Sequence, residues 1–344
     1  MTDEATASMF SNGTLPDARE LERRFAVLDP EAYNRAACER YAGLIAEIEQ
    51  LKRERRALIL AHNYQRPEIF EVADFVGDSL ELARRARETG NAEVIVFCGV
   101  HFMAETAKVL NPERTVLLPD LHAGCSLADS VTAEALADRK AELGALYPDL
   151  KVVCYVNCTA DVKAISDACC TSANALKVVE AIDSQHVLFV PDRNLADYVQ
   201  SHTRKTILSW DGNCYVHHQI TPSEIGRVKN AVPGIRVLAH PECRKDVLAL
   251  ADAVLSTSAM VRYAQQSDAD KFLVVTECGL SDRLLTEVPT KRFFKACKLC
   301  RYMKMITLAG TRDALRDLRY EITLPADVLA GARHALERML ELGG

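Results

Sequence analysis

Three stretches of the chain share one pattern of apolar and polar positions. Each begins with a short apolar run typical of a buried parallel strand, and continues into a polar segment with apolar positions three apart, which predicts a helix. The three stretches read LILAHNYQRPEIFEVADFVGDS, VVCYVNCTADVKAISDACCTS and VLAHPECRKDVLALADAVLSTS. This internal repeat indicates three copies of one structural unit.

Equivalent positions carry similar residues when His62, Tyr155 and His240 are taken as a common origin. Acidic residues stand six and twelve places further on, and hydroxyl residues stand seventeen places further on. The first acidic position falls near the start of the predicted helix, where the helix dipole favours negative charge. In order, the residues are Glu68, Asp161 and Asp246, then Asp74, Asp167 and Asp252, then Ser79, Ser172 and Thr257.

The second half of each copy repeats as well. The apolar runs EVIVFCG, HVLFVPD and FLVVTEC predict a further strand, and TVLLPD, TILSWDG and the less strand-like KRFFKAC follow them. One cysteine comes soon after each of these segments, 63, 59 and 60 residues from the three origins. Cys125, Cys214 and Cys300 therefore occupy one position of the repeat.

Each copy alternates strands and helices over about 85 to 95 residues, which predicts a small parallel αβα unit. We expect an α/β protein of three similar αβα domains about a pseudo-threefold axis, with one central site at the carboxyl ends of the strands. The extension before the first domain and the C-terminal helices are expected to pack on that domain. The expected boundaries are 1–38 for the N-terminal extension, 39–124 plus 301–344 for the first domain, 125–213 for the second and 214–300 for the third.

Composition and charge narrow the classes of function. The chain has 344 residues, 49% of them hydrophobic, and a net charge of −6. Nucleic acid is not an expected partner, because binding phosphates needs clustered Lys and Arg. No apolar stretch reaches the roughly 18 residues that span a bilayer. The polar start MTDEATASMFSNGTLPDARE is interpreted as a frayed tail and not as a secretory signal. We therefore expect a cytoplasmic protein without a membrane partner, in which the 12 cysteines do not form a disulfide framework.

The three cysteines of the repeat are candidate metal ligands. Their spacing matches neither a zinc CxxC pair nor a ferredoxin run. Three thiolates that meet on an axis suit a 4Fe-4S cube with three protein ligands, whose fourth iron is open to act as a Lewis acid. The alternative is that all three pack as small apolar residues, as free cysteines commonly do. Their shared repeat position favours the ligand interpretation.

Polar side chains also gather where the predicted strands end. Hydroxyls and imidazoles at these positions can bind carboxylates and phosphate, and a carboxylate or a phenol can move protons. Each residue has a structural alternative, because a lone Ser or Thr there is commonly a helix N-cap. The group comprises His62, Tyr64, Ser79, Tyr155, Asn157, Ser172, His240, Glu242 and Thr257.

Several motifs together resemble the quinolinate synthase family over about residues 57–310. They are AHNYQRPEIFEVADFVGDS, GVHFMAETAKVLNP, LPDLHAGCSLADS, YVNCTADVKA with CTSANA, WDGNCYVHH, HPEC and CRYMKMITL. The resemblance implies condensation of iminoaspartate with dihydroxyacetone phosphate to quinolinate, phosphate and water, on the route to NAD. It also implies three αβα domains around a 4Fe-4S cluster that Cys125, Cys214 and Cys300 hold. Arg301 stands where many members have proline, a departure that leaves the neighbouring ligand untouched.

The resemblance further implies roles for single residues. Catalytic roles fall to Glu242, Tyr64, His240 and His62, and substrate binding falls to His62, Ser79, Tyr155, Asn157, Ser172, His240, Glu242 and Thr257. The two serines and the threonine are expected to cap helices while they bind an anion. Met103, Glu105 and Glu277 are expected to pack behind the site, as are Cys169 and Cys170.

The motif CKLC alone would suggest a redox dithiol. We interpret Cys300 as the ligand and Cys297 as its neighbour, with reversible oxidation as a hypothesis that the family's extra cysteines suggest. The expected partners are the two small substrates and, transiently, the enzyme that supplies iminoaspartate.

Two other functions compete with this interpretation. A diphthamide-synthesis-like radical enzyme also places one cluster cysteine in each of three related domains, but it acts on a protein through S-adenosylmethionine, and AHNYQ and HPE do not belong to it. A non-enzymatic iron–sulfur sensor would need a basic DNA-binding surface, which the net charge of −6 does not favour. A cluster-dependent hydro-lyase is a weaker alternative.

Overall fold

The computed structural model describes residues 15–88 and 90–343. The first fourteen residues of the expected N-terminal tail lie outside the described residues. Twelve strands form in the described part of the chain: β1 (Ala57–His62), β2 (Phe75–Gly77), β3 (Val94–Cys98), β4 (Thr115–Leu117), β5 (Lys151–Tyr155), β6 (Ala168–Cys170), β7 (His186–Val190), β8 (Thr206–Ser209), β9 (Arg236–Ala239), β10 (Ala253–Val254), β11 (Lys271–Val275) and β12 (Arg292–Lys295).

Helices connect these strands and flank them at both ends of the described chain. They are α1 (Ala18–Phe25), α2 (Arg35–Arg55), α3 (Pro67–Phe70), α4 (Ser79–Arg87), α5 (His101–Leu110), α6 (Ala133–Leu146), α7 (Ala160–Ala164), α8 (Ala175–Ala181), α9 (Arg193–Gln200), α10 (Tyr215–His218), α11 (Pro222–Ala231), α12 (Lys245–Leu248), α13 (Thr257–Gln266), α14 (Cys278–Glu287), α15 (Leu308–Asp317) and α16 (Ala326–Gly343). None of the described helices is long and apolar enough to cross a membrane.

The strands form three small sheets of four parallel strands each, in the orders β2-β1-β3-β4, β6-β5-β7-β8 and β10-β9-β11-β12. The same order recurs because each sheet is one copy of the sequence repeat. The opening strand of each copy lies inside its sheet, and its apolar residues are buried on both faces, as parallel sheets require. The expected α/β fold with three αβα units is therefore confirmed.

Two details of the repeat differ from the sequence pattern. The helix predicted after each opening strand is only four or five residues long (α3, α7 and α12), although an acidic residue stands in its first turn as expected. A short edge strand then follows (β2, β6 and β10), which the sequence analysis missed because two or three residues are too few to show an alternating pattern. The segment KRFFKAC, judged less strand-like, does form a strand, β12.

The repeated aspartate at the twelfth position joins the first two strands of each unit. Each aspartate stands just before the short edge strand and accepts a backbone N–H of the opening strand through a carboxylate oxygen. The three bonds run from Ile59 to Asp74 (2.7 Å), from Val152 to Asp167 (2.8 Å) and from Val237 to Asp252 (2.7 Å). These bonds tie the start of each edge strand to the opening strand, at the end of the pair opposite to the polar residues.

Alanine at Asp252 is expected to destabilise the protein by about 1–3 kcal/mol, because the N–H of the buried Val237 would lose its acceptor. Asparagine keeps an acceptor oxygen and is expected to cost less. Scanning calorimetry of anaerobic protein would measure both variants. Asp246→Ala, at an exposed position of the same unit, is the control and should change stability by less than about 0.5 kcal/mol. Equal stability of the Asp252→Ala variant and this control would contradict the proposed bond.

The flanking helices pack on more than one unit. The described part of the N-terminal extension lies on the first unit, where Arg24 makes a bidentate pair with the buried Glu71. Helix α15 packs against α2 and β3 of the first unit, as the sequence led us to expect. Helix α16 instead packs mainly on α7, β6 and α8 of the second unit, so the expectation that all C-terminal helices cover the first unit is wrong for α16. The domain boundaries themselves stay a prediction.

Candidate active site

One cavity lies where the carboxyl ends of the three sheets meet. All nine polar residues and all three cysteines singled out in the sequence line it, and a concave cavity with several convergent polar groups is typical of a small-molecule site. The twelve residues are His62, Tyr64, Ser79, Cys125, Tyr155, Asn157, Ser172, Cys214, His240, Glu242, Thr257 and Cys300. The strand-end rule for parallel sheets explains why residues so far apart in the chain come together.

The two histidines of the cavity have the same local geometry. In both cases the backbone N–H two residues later points at the ring, from Tyr64 to Nδ1 of His62 (3.2 Å) and from Glu242 to Nδ1 of His240 (3.4 Å). Burial lowers the pKa of each ring to about 3, so both rings are neutral at physiological pH. Because Nδ1 accepts a hydrogen bond, Nε2 carries the proton of the neutral ring. Each histidine therefore offers an N–H donor, and that of His240 lies 3.2 Å from Oγ of Ser172.

Glu242 is the central carboxylate of the cavity and is only 2% exposed. Its Oε2 lies 2.8 Å from Nδ1 of His217, close enough for an ion pair although the two atoms are not aligned for a hydrogen bond. The hydroxyl of Tyr155 donates to Oε1. Burial alone would raise the pKa of Glu242, but the neighbouring imidazoles and the Tyr155 hydroxyl outweigh burial and lower it to about 2. The carboxylate is thus ionised, with partners that stabilise its charge.

Two residues of the site were missed in the sequence analysis, His217 and Thr276. The hydroxyl of Tyr64 hydrogen-bonds to Oγ1 of Thr276 (2.6 Å), which in turn lies 2.8 Å from Nε2 of His217. These bonds extend from Tyr64 to His217, whose Nδ1 lies 2.8 Å from Oε2 of Glu242, so the four residues form one chain of groups that can exchange protons. A signal for both was present: His217 belongs to the quoted motif WDGNCYVHH, and Thr276 directly follows the buried strand β11.

The hydroxyl residues of the seventeenth position do not cap helices as expected. Ser79 and Thr257 are the first residues of α4 and α13, and the N-caps are the residues before them, Asp78 and Ser256. Both residues therefore line the cavity from the first turn of their helices. The Thr257 hydroxyl oxygen also accepts a hydrogen bond from Nδ2 of Asn63 (2.8 Å).

The three cysteines of the repeat differ from the other free cysteines of the described chain. Cys125, Cys214 and Cys300 are partly exposed at the cavity, whereas the other seven free thiols are fully buried. Burial raises the pKa of all three thiols, that of Cys125 to about 12, and neighbouring thiols add to the effect at Cys125 and Cys214. The three side chains are therefore near enough to interact. Three thiols from three loops, around one cavity with space for a ligand, are a donor set that fits an iron–sulfur cluster.

A disulfide bond lies beside this set. Cys297 pairs with Cys278, nineteen residues earlier, and not with Cys300 of the same CKLC motif. No sequence pattern pairs these two residues, because they come from different segments that meet only in the folded unit. The disulfide leaves Cys300 free.

Residues expected behind the site have definite contacts. Met103 lines the cavity, and Glu105 accepts the backbone N–H of Ala160 (2.9 Å), which ties the first unit to α7 of the second. Cys169 and Cys170 are fully buried in β6 and do not line the cavity. Glu277 lines the cavity but bonds to backbone N–H groups of the third unit.

Comparison with known proteins gives a consistent result. The family model described as "Quinolinate synthetase A protein" matches residues 46–341. A quinolinate synthase of Desulforudis audaxviator is 51% identical over 302 residues, 87% of this chain and 98% of that protein. Those of Xylella fastidiosa and Dehalococcoides mccartyi are each 52% identical, over 87% and 88% of this chain and 87% and 99% of their own lengths.

Proposed function

Because this chain belongs to the quinolinate synthase family, we propose that its central cavity condenses iminoaspartate with dihydroxyacetone phosphate to give quinolinate, phosphate and water. The observation that carries the proposal is the convergence of three partly exposed thiols and nine polar strand-end residues on one cavity. These residues come from all three units, so the complete site exists only in the folded chain.

The family is iron–sulfur dependent. We propose that the group is a 4Fe-4S cluster with Cys125, Cys214 and Cys300 as its ligands. When bound, such a cluster supplies an open iron that acts as a Lewis acid toward an oxygen or nitrogen of the substrate. Glu242 and His217 stand next to Cys214, since one ligand atom from each of the three residues lies within 4.8 Å of the others.

Anion binding falls to neutral donors and helix ends. The Nε2–H groups of His62 and His240 can donate to carboxylate or phosphate oxygens without the cost of burying a charged imidazole. The N-terminus of α13, whose N-cap makes no side-chain hydrogen bond, and the Ser79 and Thr257 hydroxyls add donors of the kind that bind phosphate. Oδ1 of Asn157 is buried without a hydrogen-bond partner, which leaves it free to accept an N–H of a bound substrate.

Proton movement falls to the chain of groups from Tyr64 to Glu242. Burial and the nearby Glu242 charge raise the pKa of Tyr64 and of Tyr155 well above the usual value, so both phenols keep their protons and act as donors. Tyr64 passes a proton toward Thr276 and His217 along existing hydrogen bonds. Glu242 is ionised and lies beside Nδ1 of His217 and the Tyr155 hydroxyl. Its negative charge stabilises positive charge that develops on a neighbouring group.

Three further expectations stay proposals. We propose that the domain boundaries follow the sequence repeat, at 39–124, 125–213 and 214–300, with α15 on the first domain and α16 on the second. We propose a cytoplasmic location. A transient contact with the enzyme that supplies iminoaspartate is also proposed, because an imine of this type hydrolyses readily in water.

Purification without oxygen is expected to give a brown protein with about four irons and four sulfides per chain, which forms quinolinate and loses activity in air. An iron without a thiolate ligand is open to oxidants, which accounts for the sensitivity. Iron and sulfide analysis and a quinolinate assay on the same sample are the measurements. Bound zinc without sulfide would overturn the cluster assignment, and a cleaved S-adenosylmethionine product would favour the radical enzyme instead.

A further inference from the structure

Two buried carboxylates occupy the same place in the second and third units. Asp192 stands two residues after the end of β7, and Glu277 stands two residues after the end of β11. Neither has any exposed surface. Each caps the helix that follows, Asp192 by accepting the N–H of Leu195 (2.7 Å) and Glu277 by accepting the N–H of Gly279 (2.6 Å). One oxygen of each carboxylate is enough for this capping.

The second oxygen of each carboxylate holds a cysteine loop. Oδ2 of Asp192 accepts the backbone N–H of Cys214, and Oε1 of Glu277 accepts that of Cys300, both at 3.0 Å. A parallel bridge two residues before each cysteine brings the loop to the same strand end, between Asp192 and Gly212 and between Glu277 and Lys298. The second and third units therefore hold their cysteine loops through the same set of contacts, although the two side chains differ in length.

The first unit keeps the loop but not the carboxylate. Its backbone contact between the helix start and the residue two before the cysteine is the same, from the N–H of His101 to the carbonyl of Ala123 (2.8 Å). The equivalent bonds elsewhere are Arg193 to Gly212 and Cys278 to Lys298. The residue at the carboxylate's position is Val100, which cannot accept a hydrogen bond through its side chain. The loop of Cys125 is thus held without a carboxylate at this position.

A capping role alone does not explain this arrangement. N-caps are commonly small polar residues at the protein surface, whereas a fully buried carboxylate is costly unless every oxygen has donors. Here the donors are backbone N–H groups of the helix start and of the cysteine loop. Nζ of Lys304 also lies 3.3 Å from Oε1 of Glu277. Each side chain accepts backbone N–H groups from two segments, the helix start and the cysteine loop, and therefore restricts the loop that it holds.

We propose that Asp192 and Glu277 are positioning residues that hold Cys214 and Cys300, respectively, ready to receive the cluster, while the loop of Cys125 has valine at the equivalent position. This inference rests on the proposed function only in taking the three cysteines as cluster ligands. It predicts an effect specific to one cysteine for each carboxylate. A role confined to helix capping would not produce that specificity.

The test compares Asp192→Ala, Asp192→Asn, Glu277→Ala and Glu277→Gln in the full chain. After anaerobic removal of the cluster, brief treatment with iodoacetamide and mass spectrometry give the alkylation rate of each cysteine. Alanine at residue 192 is expected to speed alkylation of Cys214 about tenfold and leave Cys300 near its original rate, and alanine at residue 277 is expected to do the reverse. The amide variants keep one of two acceptor oxygens and should lie between alanine and the parent protein.

Cluster uptake is the second readout, measured as iron and sulfide bound during anaerobic reconstitution. Slower and less complete uptake is expected in the order alanine, amide, parent. Glu68→Gln is the matched control, since Glu68 is a buried carboxylate that accepts the Tyr33 hydroxyl and does not line the cavity, and it should match the parent protein. Circular dichroism identifies variants that fail to fold. Where an alanine variant does not fold, the amide variant at the same position is tested in its place.

Unchanged alkylation and uptake in folded variants would overturn the inference. Equal acceleration at all three cysteines would also overturn it, because that result means general loosening. Neither readout depends on quinolinate. A parent protein that takes up the cluster but makes no quinolinate would defeat the proposed function and leave this inference intact.

Discussion

Alanine in place of Cys125, Cys214 or Cys300 is expected to remove the iron–sulfur cluster and reduce quinolinate formation to background. Each substitution removes one of three thiols that come from three separate loops and leaves two thiols at the cavity. Iron and sulfide content after anaerobic reconstitution, with the quinolinate assay in parallel, gives the result for each variant.

Cys38→Ala and Cys98→Ala are the controls for this experiment. Both thiols are free and fully buried, in α2 and β3, and neither lines the cavity, so the variants should keep the full cluster. Cys297→Ala gives a sharper comparison because Cys297 lies three residues from Cys300 but is paired with Cys278. A full cluster in Cys300→Ala together with its loss in Cys297→Ala would show that the ligand of the CKLC motif was chosen wrongly.

The internal repeat explains why so much of the fold was predictable. Three copies share an apolar opening run, an acidic residue six places on and a hydroxyl residue seventeen places on. These copies form three sheets with the same strand order. The shared repeat position of Cys125, Cys214 and Cys300 also predicted that the three would meet at one site, and all three line the cavity. A sequence repeat identifies positions that have the same place in each structural unit, and these residues occupy such positions.

What could not be predicted depends on contacts between segments. The Cys278–Cys297 disulfide joins the start of α14 to the loop after β12, and no local sequence pattern predicts it. The position of α16 on the second unit is of the same kind, since its apolar stripe would suit any of several surfaces. The ionised state of Glu242 arises from His217 and Tyr155, which belong to a different unit or loop.

Glutamine at Glu242 is expected to lower turnover by about 100-fold to 10,000-fold while the fold and the cluster are retained. The substitution keeps the size of the side chain and one acceptor oxygen, so Tyr155 can still donate to it. It removes the negative charge that faces His217 at 2.8 Å and ends the proton-exchanging chain that starts at Tyr64. The loss should appear mainly in kcat, because the charge acts on groups whose own charge changes during the reaction.

Matched variants separate the role of Glu242 from the general effect of altering a buried carboxylate. Glu105→Gln changes another buried carboxylate near the cavity, whose bond to the Ala160 N–H a glutamine oxygen can keep, and it should leave turnover near that of the parent protein. Tyr64→Phe, at the far end of the chain of groups, should slow the proton-transfer steps, and His62→Ala should raise KM by removing an anion donor. Quinolinate formation is measured for every variant after anaerobic reconstitution, with iron content checked on the same sample. Turnover near the parent value in a cluster-replete Glu242→Gln protein would remove Glu242 from the mechanism, because the one property lost in that variant is the charge.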